Sequence, residues 1–103
     1  MCYIEYSDEA NDDMRDLFYF IAYEKGMLQT AQKYLQGLKK TIENMAEHPT
    51  AYSVRYYSSL AKYGNYIRRV DYKKMAVLYS FHNDVVYIHR VIAGSMITGF
   101  SLN

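Results

Sequence analysis

The chain has 103 residues and a mass of 12.1 kDa, with half its residues apolar and 22% charged, so it is one small globular domain and not a disordered or low-complexity segment. Size scaling lets about two-thirds of the extended chain's surface be buried, and no disulfide or metal staple is needed. The net charge of +1 hides an asymmetry, because residues 1–53 carry five Lys/Arg against nine Asp/Glu and residues 54–103 carry seven against two; a basic carboxyl half suits an anionic partner, either nucleic acid or an acidic protein segment.

The N-terminus has no basic region ahead of an apolar stretch, and the longest apolar runs, 17–23 and 75–79, fall far short of a membrane span. A soluble, cytoplasmic protein with no membrane partner is expected, and the single cysteine, Cys2, fits a reducing compartment. Residues 3–6 (Tyr-Ile-Glu-Tyr) predict a short strand, closed by Ser7-Asp8 as a helix cap. Asp8, Glu9, Asp12 and Asp13 load the helix start with negative charge, where the helix dipole favours it. The spacing predicts a first helix over 8–24. Ala10, Met14, Leu17 and Ile21 form its apolar stripe, Phe18 and Phe20 flank it, and Tyr19 and Tyr23 lie opposite. Lys25-Gly26 ends it. A second helix over 27–47 carries Leu28, Ala31, Leu35, Leu38, Ile42 and Met45 at three- and four-residue steps. A seam of under three heptads fits packing on the first helix and a sheet better than a coiled coil, and His48-Pro49 stops it.

After a loop over about 50–63, three strands are predicted at 66–72, 75–81 and 85–92, joined by Lys73-Lys74 and His82-Asn83-Asp84 as hairpin turns. Met75, Val77, Tyr79 and Phe81 share the face toward the helices, and the last strand, apolar on both faces, suits a central place. The expected fold is α+β, a single β-α-α-β-β-β domain over 1–103 with a helical hairpin on one face of a small, largely antiparallel sheet.

Catalytic signatures are sparse. The segment 94–99 has the wrong spacing and place for a phosphate loop, and His48, His82 and His89 lack partners at metal-ligand spacing. Cys2 has no neighbouring base, and the acidic cluster is explained by helix-start electrostatics. No cofactor and no metal are expected. Thirteen tyrosines, which offer a ring to stack and a hydroxyl to bond, suit a binding surface as well as a core.

The stretches 63–69 (Tyr-Gly-Asn-Tyr-Ile-Arg-Arg), 77–81 (Val-Leu-Tyr-Ser-Phe) and 84–94 (Asp-Val-Val-Tyr-Ile-His-Arg-Val-Ile-Ala-Gly), with the opening 6–10 (Tyr-Ser-Asp-Glu-Ala) and Pro49, resemble the RelE/ParE superfamily of bacterial toxins, closest to ParE-like plasmid-stabilisation toxins. The resemblance covers nearly the whole chain and implies the toxin of a type II toxin-antitoxin pair. RelE-like members cut messenger RNA on the ribosome with basic residues, and the positions that match two of their arginines hold Ala76 and Met96. ParE-like members inhibit DNA gyrase by binding, which makes catalysis the less expected activity; many carry His-Gly-Arg-Arg where this chain has 93–96 (Ala-Gly-Ser-Met). Three readings follow from the resemblance: a gyrase inhibitor neutralised by a cognate antitoxin, in a toxin-antitoxin hetero-oligomer; a ribosome-dependent endoribonuclease; and a non-toxic member that only binds antitoxin. Arg68, Arg69, Lys73, Lys74 and Arg90 are the expected target contacts, with edge protection and plain solvation as the alternative. Alanine at the three arginines is expected to cost less than about 1 kcal/mol of stability. Tyr19 and Tyr23 are the expected antitoxin contacts.

Overall fold

The structure, a computed structural model, describes residues 2–56, 58–64 and 66–97. Strand β1 (Tyr3–Tyr6) leads through Ser7 into α1 (Asp8–Tyr19), which runs on into a π-helical turn (Phe20–Glu24). Helix α2 (Leu28–Glu47) and a 3-10 turn (Ser58–Tyr63) precede β2 (Arg68–Tyr72), β3 (Met75–His82), β4 (Val85–Ala93) and a last 3-10 turn (Gly94–Met96). The sheet order is β1-β4-β3-β2, with β1 parallel to β4 and the other pairs antiparallel. This is the α+β arrangement expected from the pattern, with the last strand internal to the sheet.

Both helices lie on one face. Ala10 and Met14 of α1 and Leu38, Ile42, Met45 and Ala46 of α2 pack with Val70, Val77, Tyr79, Val86, Ile88 and Val91 of the sheet. Full burial of each large side chain is worth about 1.5–3 kcal/mol, so this cluster is the main source of stability. The phenol of Tyr79, fully buried at the centre, donates to the Pro49 carbonyl at 2.7 Å and ties the end of α2 to β3. Burial pushes that phenol well above its ordinary pKa and keeps it a donor.

Four features depart from the expected pattern. The end of α1 widens, so that the Lys25 N–H reaches the Phe20 carbonyl at 3.1 Å. The extra residue in that turn advances the phase: Ala22 is buried, Ile21 only half-buried, and Phe20 is 47% exposed. Gly26, at φ +66°, then reverses the chain. Second, β2 starts at Arg68 because Tyr66 takes a left-handed φ of +62°, which no strand admits. Third, the region read as plain loop contributes Leu60, which joins Ile67 and Leu78 in a second apolar cluster on the other face of the sheet. Fourth, β4 bulges. Leu78 pairs with Arg90 and Tyr79 with Ile88, so His89 is the extra residue and Val86, Ile88 and Val91 all reach the helix side.

Gly37, in the middle of α2, is required by a close approach: a Cβ there would lie 2.7 Å from Cζ of Tyr72, whose ring meets Tyr34 edge-on. Gly37→Ala gains up to about 1 kcal/mol of helix propensity but overpacks this contact at about 1–3 kcal/mol. The variant is expected to lose about 1 kcal/mol, measured by urea denaturation.

Candidate functional site

Arg90 and Asp13 meet where β1 ends. Pairing with β1 covers β4 only as far as Ile88, and beyond it the first turns of α1 take over the edge. The Ser7 hydroxyl accepts from the Ala10 N–H at 2.9 Å and donates to the His89 carbonyl at 2.7 Å. The Asp13 carboxylate accepts from the Val91 N–H at 2.9 Å and from Arg90 Nε and Nη2 at 2.7 and 2.9 Å. Glu9 approaches Arg90 Nη1 at 3.5 Å, and the same nitrogen donates to the Tyr63 hydroxyl at 3.3 Å. The bond to Asp13 raises the guanidinium above its ordinary pKa. Asp13 therefore does more than favour a helix start. The sequence signal was its place three residues after fully buried Ala10, on the inward side of the helix.

The five expected cationic contacts do not converge. Register places Arg69 and Arg90 on either side of Leu78, on the face away from the helices. Arg69 pairs with Asp71, Nε to carboxylate at 2.7 Å, and its Nη2 would lie 2.7 Å from a Cβ on Gly94. Arg68 faces the helix side and donates to the Tyr52 carbonyl. Lys73, at φ +53° in the β2–β3 turn, lies over the rings of Tyr34 and Tyr72 at 5.5 and 5.6 Å, and Lys74 beside it is exposed. Ala76, one of the two positions compared with RelE-like arginines, is fully buried in register between Asp71 and Ile92; Met96, the other, is 66% exposed.

The aromatic end of the helical hairpin is a different surface. Tyr19 and Tyr23 are exposed and stacked, with centroids 5.5 Å apart. The widened turn adds Phe20 to them, and Met27 and Leu28 are about half exposed close by in the chain. A shallow cavity of about 520 Å³ lies among Tyr19, Phe20 and Tyr23, flanked by Asp16 and Glu24. Sequence phase alone missed Phe20, because nothing in the spacing announces a π turn.

Residues 4–98 match the family described as the ParE toxin of type II toxin-antitoxin system, parDE. The chain belongs to the ParE toxin family. It is similar in structure to a chain of a chromosomal ParDE toxin-antitoxin system from P. aeruginosa, at 10% identity and a TM-score of 0.69, covering 90% of this chain and 96% of that one. It is also similar to a metal-bound toxin from Helicobacter pylori, at 17% identity and a TM-score of 0.59, covering 95% and 100%. At such identities the likeness is one of fold. No curated protein matches the sequence. Among the described residues of this ParE-family chain, no group of three or more His, Cys, Asp or Glu is placed to hold a metal ion, and no helix is long and apolar enough to cross a membrane.

Two outcomes follow from the bulge. The Asp13–Arg90 side chains are only 15% and 25% exposed, between a surface pair worth up to about 1 kcal/mol and a buried pair whose rupture costs about 3–5. Arg90→Ala is thus expected to lose about 2 kcal/mol, more than foreseen for a surface arginine, and Asp13→Asn, which keeps an acceptor for Val91, to lose less; chemical denaturation reads both. The imidazole of His89 shares a 2.8 Å hydrogen bond with Ser80 and stacks on Tyr63; burial, then the nearby His82, lowers its pKa from the ordinary 6.5. The unfolded chain takes up this proton near pH 6.5 and the folded chain only below it, so stability is full above about 6.5 and falls as the pH drops. Melting temperatures taken from about pH 7 to pH 5 should show that fall, and His89→Gln should reduce it.

Proposed function

We propose that this toxin-antitoxin protein acts by binding and inhibiting DNA gyrase, without cutting RNA, and that a cognate antitoxin neutralises it by covering the aromatic end of the helical hairpin. The observation that carries the first part is Ala76. It is fully buried between two sheet neighbours, so a cation for a scissile phosphate at that place would have to displace packed side chains. The basic residues fit a binding role divided by geometry: Lys73 and Lys74 supply charge toward the target, Arg69 is matched by Asp71, and Arg68 and Arg90 hold the loop and the helix that shape the surface. The second part is supported by Tyr19, Phe20 and Tyr23, large rings left half or more exposed on one end of the molecule.

The test is a pair of assays on the purified protein. Gyrase supercoiling should be inhibited, and ribosome-bound message should stay intact; message cleavage with normal supercoiling would overturn the reading. Lys73→Ala/Lys74→Ala should weaken gyrase inhibition several-fold with stability changed by less than about 1 kcal/mol. Tyr19→Ala/Tyr23→Ala should leave inhibition intact and weaken antitoxin binding by about tenfold or more, read by calorimetry.

A further inference from the structure

The hollow at the end of the first helix combines two kinds of group that act on the same ligand charge. Tyr19, Phe20 and Tyr23 give it ring surface, with the two tyrosines stacked at 5.5 Å and their planes 29° apart, and Asp16 and Glu24 complete its lining of about 520 Å³. Both carboxylates are exposed and form no ion pair among the described residues. Rings alone would accept any apolar group. Two unpaired carboxylates beside them select a cation, because the face of an aromatic ring carries negative potential and attracts positive charge as a carboxylate does.

The chain makes one such contact itself. Lys25 Nζ lies over the Phe20 ring, 5.4 Å from its centroid, whereas no Lys or Arg among the described residues lies over Tyr19 or Tyr23. The tyrosine pair is thus the part of the hollow that has no cation of its own. The surrounding field has the same sign, since residues 1–53 carry nine Asp/Glu against five Lys/Arg.

We infer that this hollow receives an arginine side chain of the antitoxin, its guanidinium stacked on a tyrosine face and its N–H groups directed at Asp16 or Glu24. The inference deepens the antitoxin reading and rests on it, by naming the group through which that partner is held. A guanidinium suits the site better than an ammonium: it is planar, weakly hydrated and presents a fork of donors, so it stacks on a ring and bonds a carboxylate at its edge together. A quaternary ammonium has no N–H for the carboxylates. Phosphate-bearing partners, nucleic acid or lipid headgroups, would be repelled by both acids. A free small cation would be poorly covered, because the hollow is shallow and built from neighbouring turns of one helix; the side chain must arrive on a segment that covers the rings around it.

The probe is the blocked tripeptide Ala-Arg-Ala, compared with its Lys, citrulline and Leu counterparts and titrated into the intact protein while the ring resonances of Tyr19 and Tyr23 are followed by NMR. Citrulline keeps the planar shape and removes the charge. The Arg peptide should bind about fivefold more tightly than the citrulline peptide, with the Lys peptide between them. Asp16→Asn/Glu24→Gln, at exposed sites, should erase the preference for Arg over citrulline, and Tyr23→Ala should remove the response at Tyr19. Equal binding of Arg and citrulline, Lys binding as well as Arg, or no response at either ring would each overturn the inference. Tightest binding by the Leu peptide would overturn it in favour of an apolar anchor. The antitoxin itself separates this inference from the reading beneath it. If Tyr19→Ala/Tyr23→Ala weakens antitoxin binding while the peptides show no preference for Arg, the inference fails and the antitoxin reading stands. If the peptides rank as expected and antitoxin binding ignores both tyrosines, the antitoxin reading fails and the guanidinium site belongs to another basic partner.

Discussion

The Asp13 carboxylate stands where a strand is missing. β4 runs to Ala93, β1 reaches only Ile88 in register, and the edge between them would expose backbone donors beside a helix. Asp13 accepts the Val91 N–H and the Arg90 guanidinium together, and Ser7 joins the His89 carbonyl to the first turn of α1. Two residues of one helix start thereby satisfy a sheet edge, fix the path of α1 across it and place Ala10 and Met14 over the core. The bulge at His89 is part of the same arrangement. It changes the parity of β4 just after β1 ends, so Val91 stays on the helix face while Arg90 turns toward Asp13 and Tyr63.

This junction limits what the basic half of the chain presents outward. Arg90 is matched by one carboxylate and approached by another, Arg69 by Asp71, and Arg68 by a loop carbonyl. A count of cations along the sequence overstates the positive field, because charges paired within about 4 Å largely cancel at a partner's distance. The fold shared with solved structures at 10% and 17% identity is a matter of backbone arrangement, and in this chain these internal pairings help to hold it.

The fold was legible because its signals are periodic and local. The α2 seam, the Ser7 cap and the two-residue turn at Asn83-Asp84, which takes left-handed φ at both positions, each follow from short-range chemistry. What was not legible depends on breaks in period or on distant partners. The π turn moved burial from Ile21 to Ala22, the bulge moved Val91 onto the helix face, and neither leaves a mark in residue spacing. The site suffered most from the second cause. Arg68 finds its carbonyl 16 residues away and Arg90 its carboxylate 77 residues away, distances at which sequence shows a charge but not its partner.

The widened turn also enlarges the aromatic surface. A regular helix would bring Ile21 inward and turn Phe20 to its flank; one added residue buries small Ala22 instead and leaves Phe20 outside beside Tyr19 and Tyr23. Gly26 turns the chain from this end of α1 into α2, and the Asp13 junction holds the other end of α1, so the exposed rings and the sheet edge are separate surfaces of one helix.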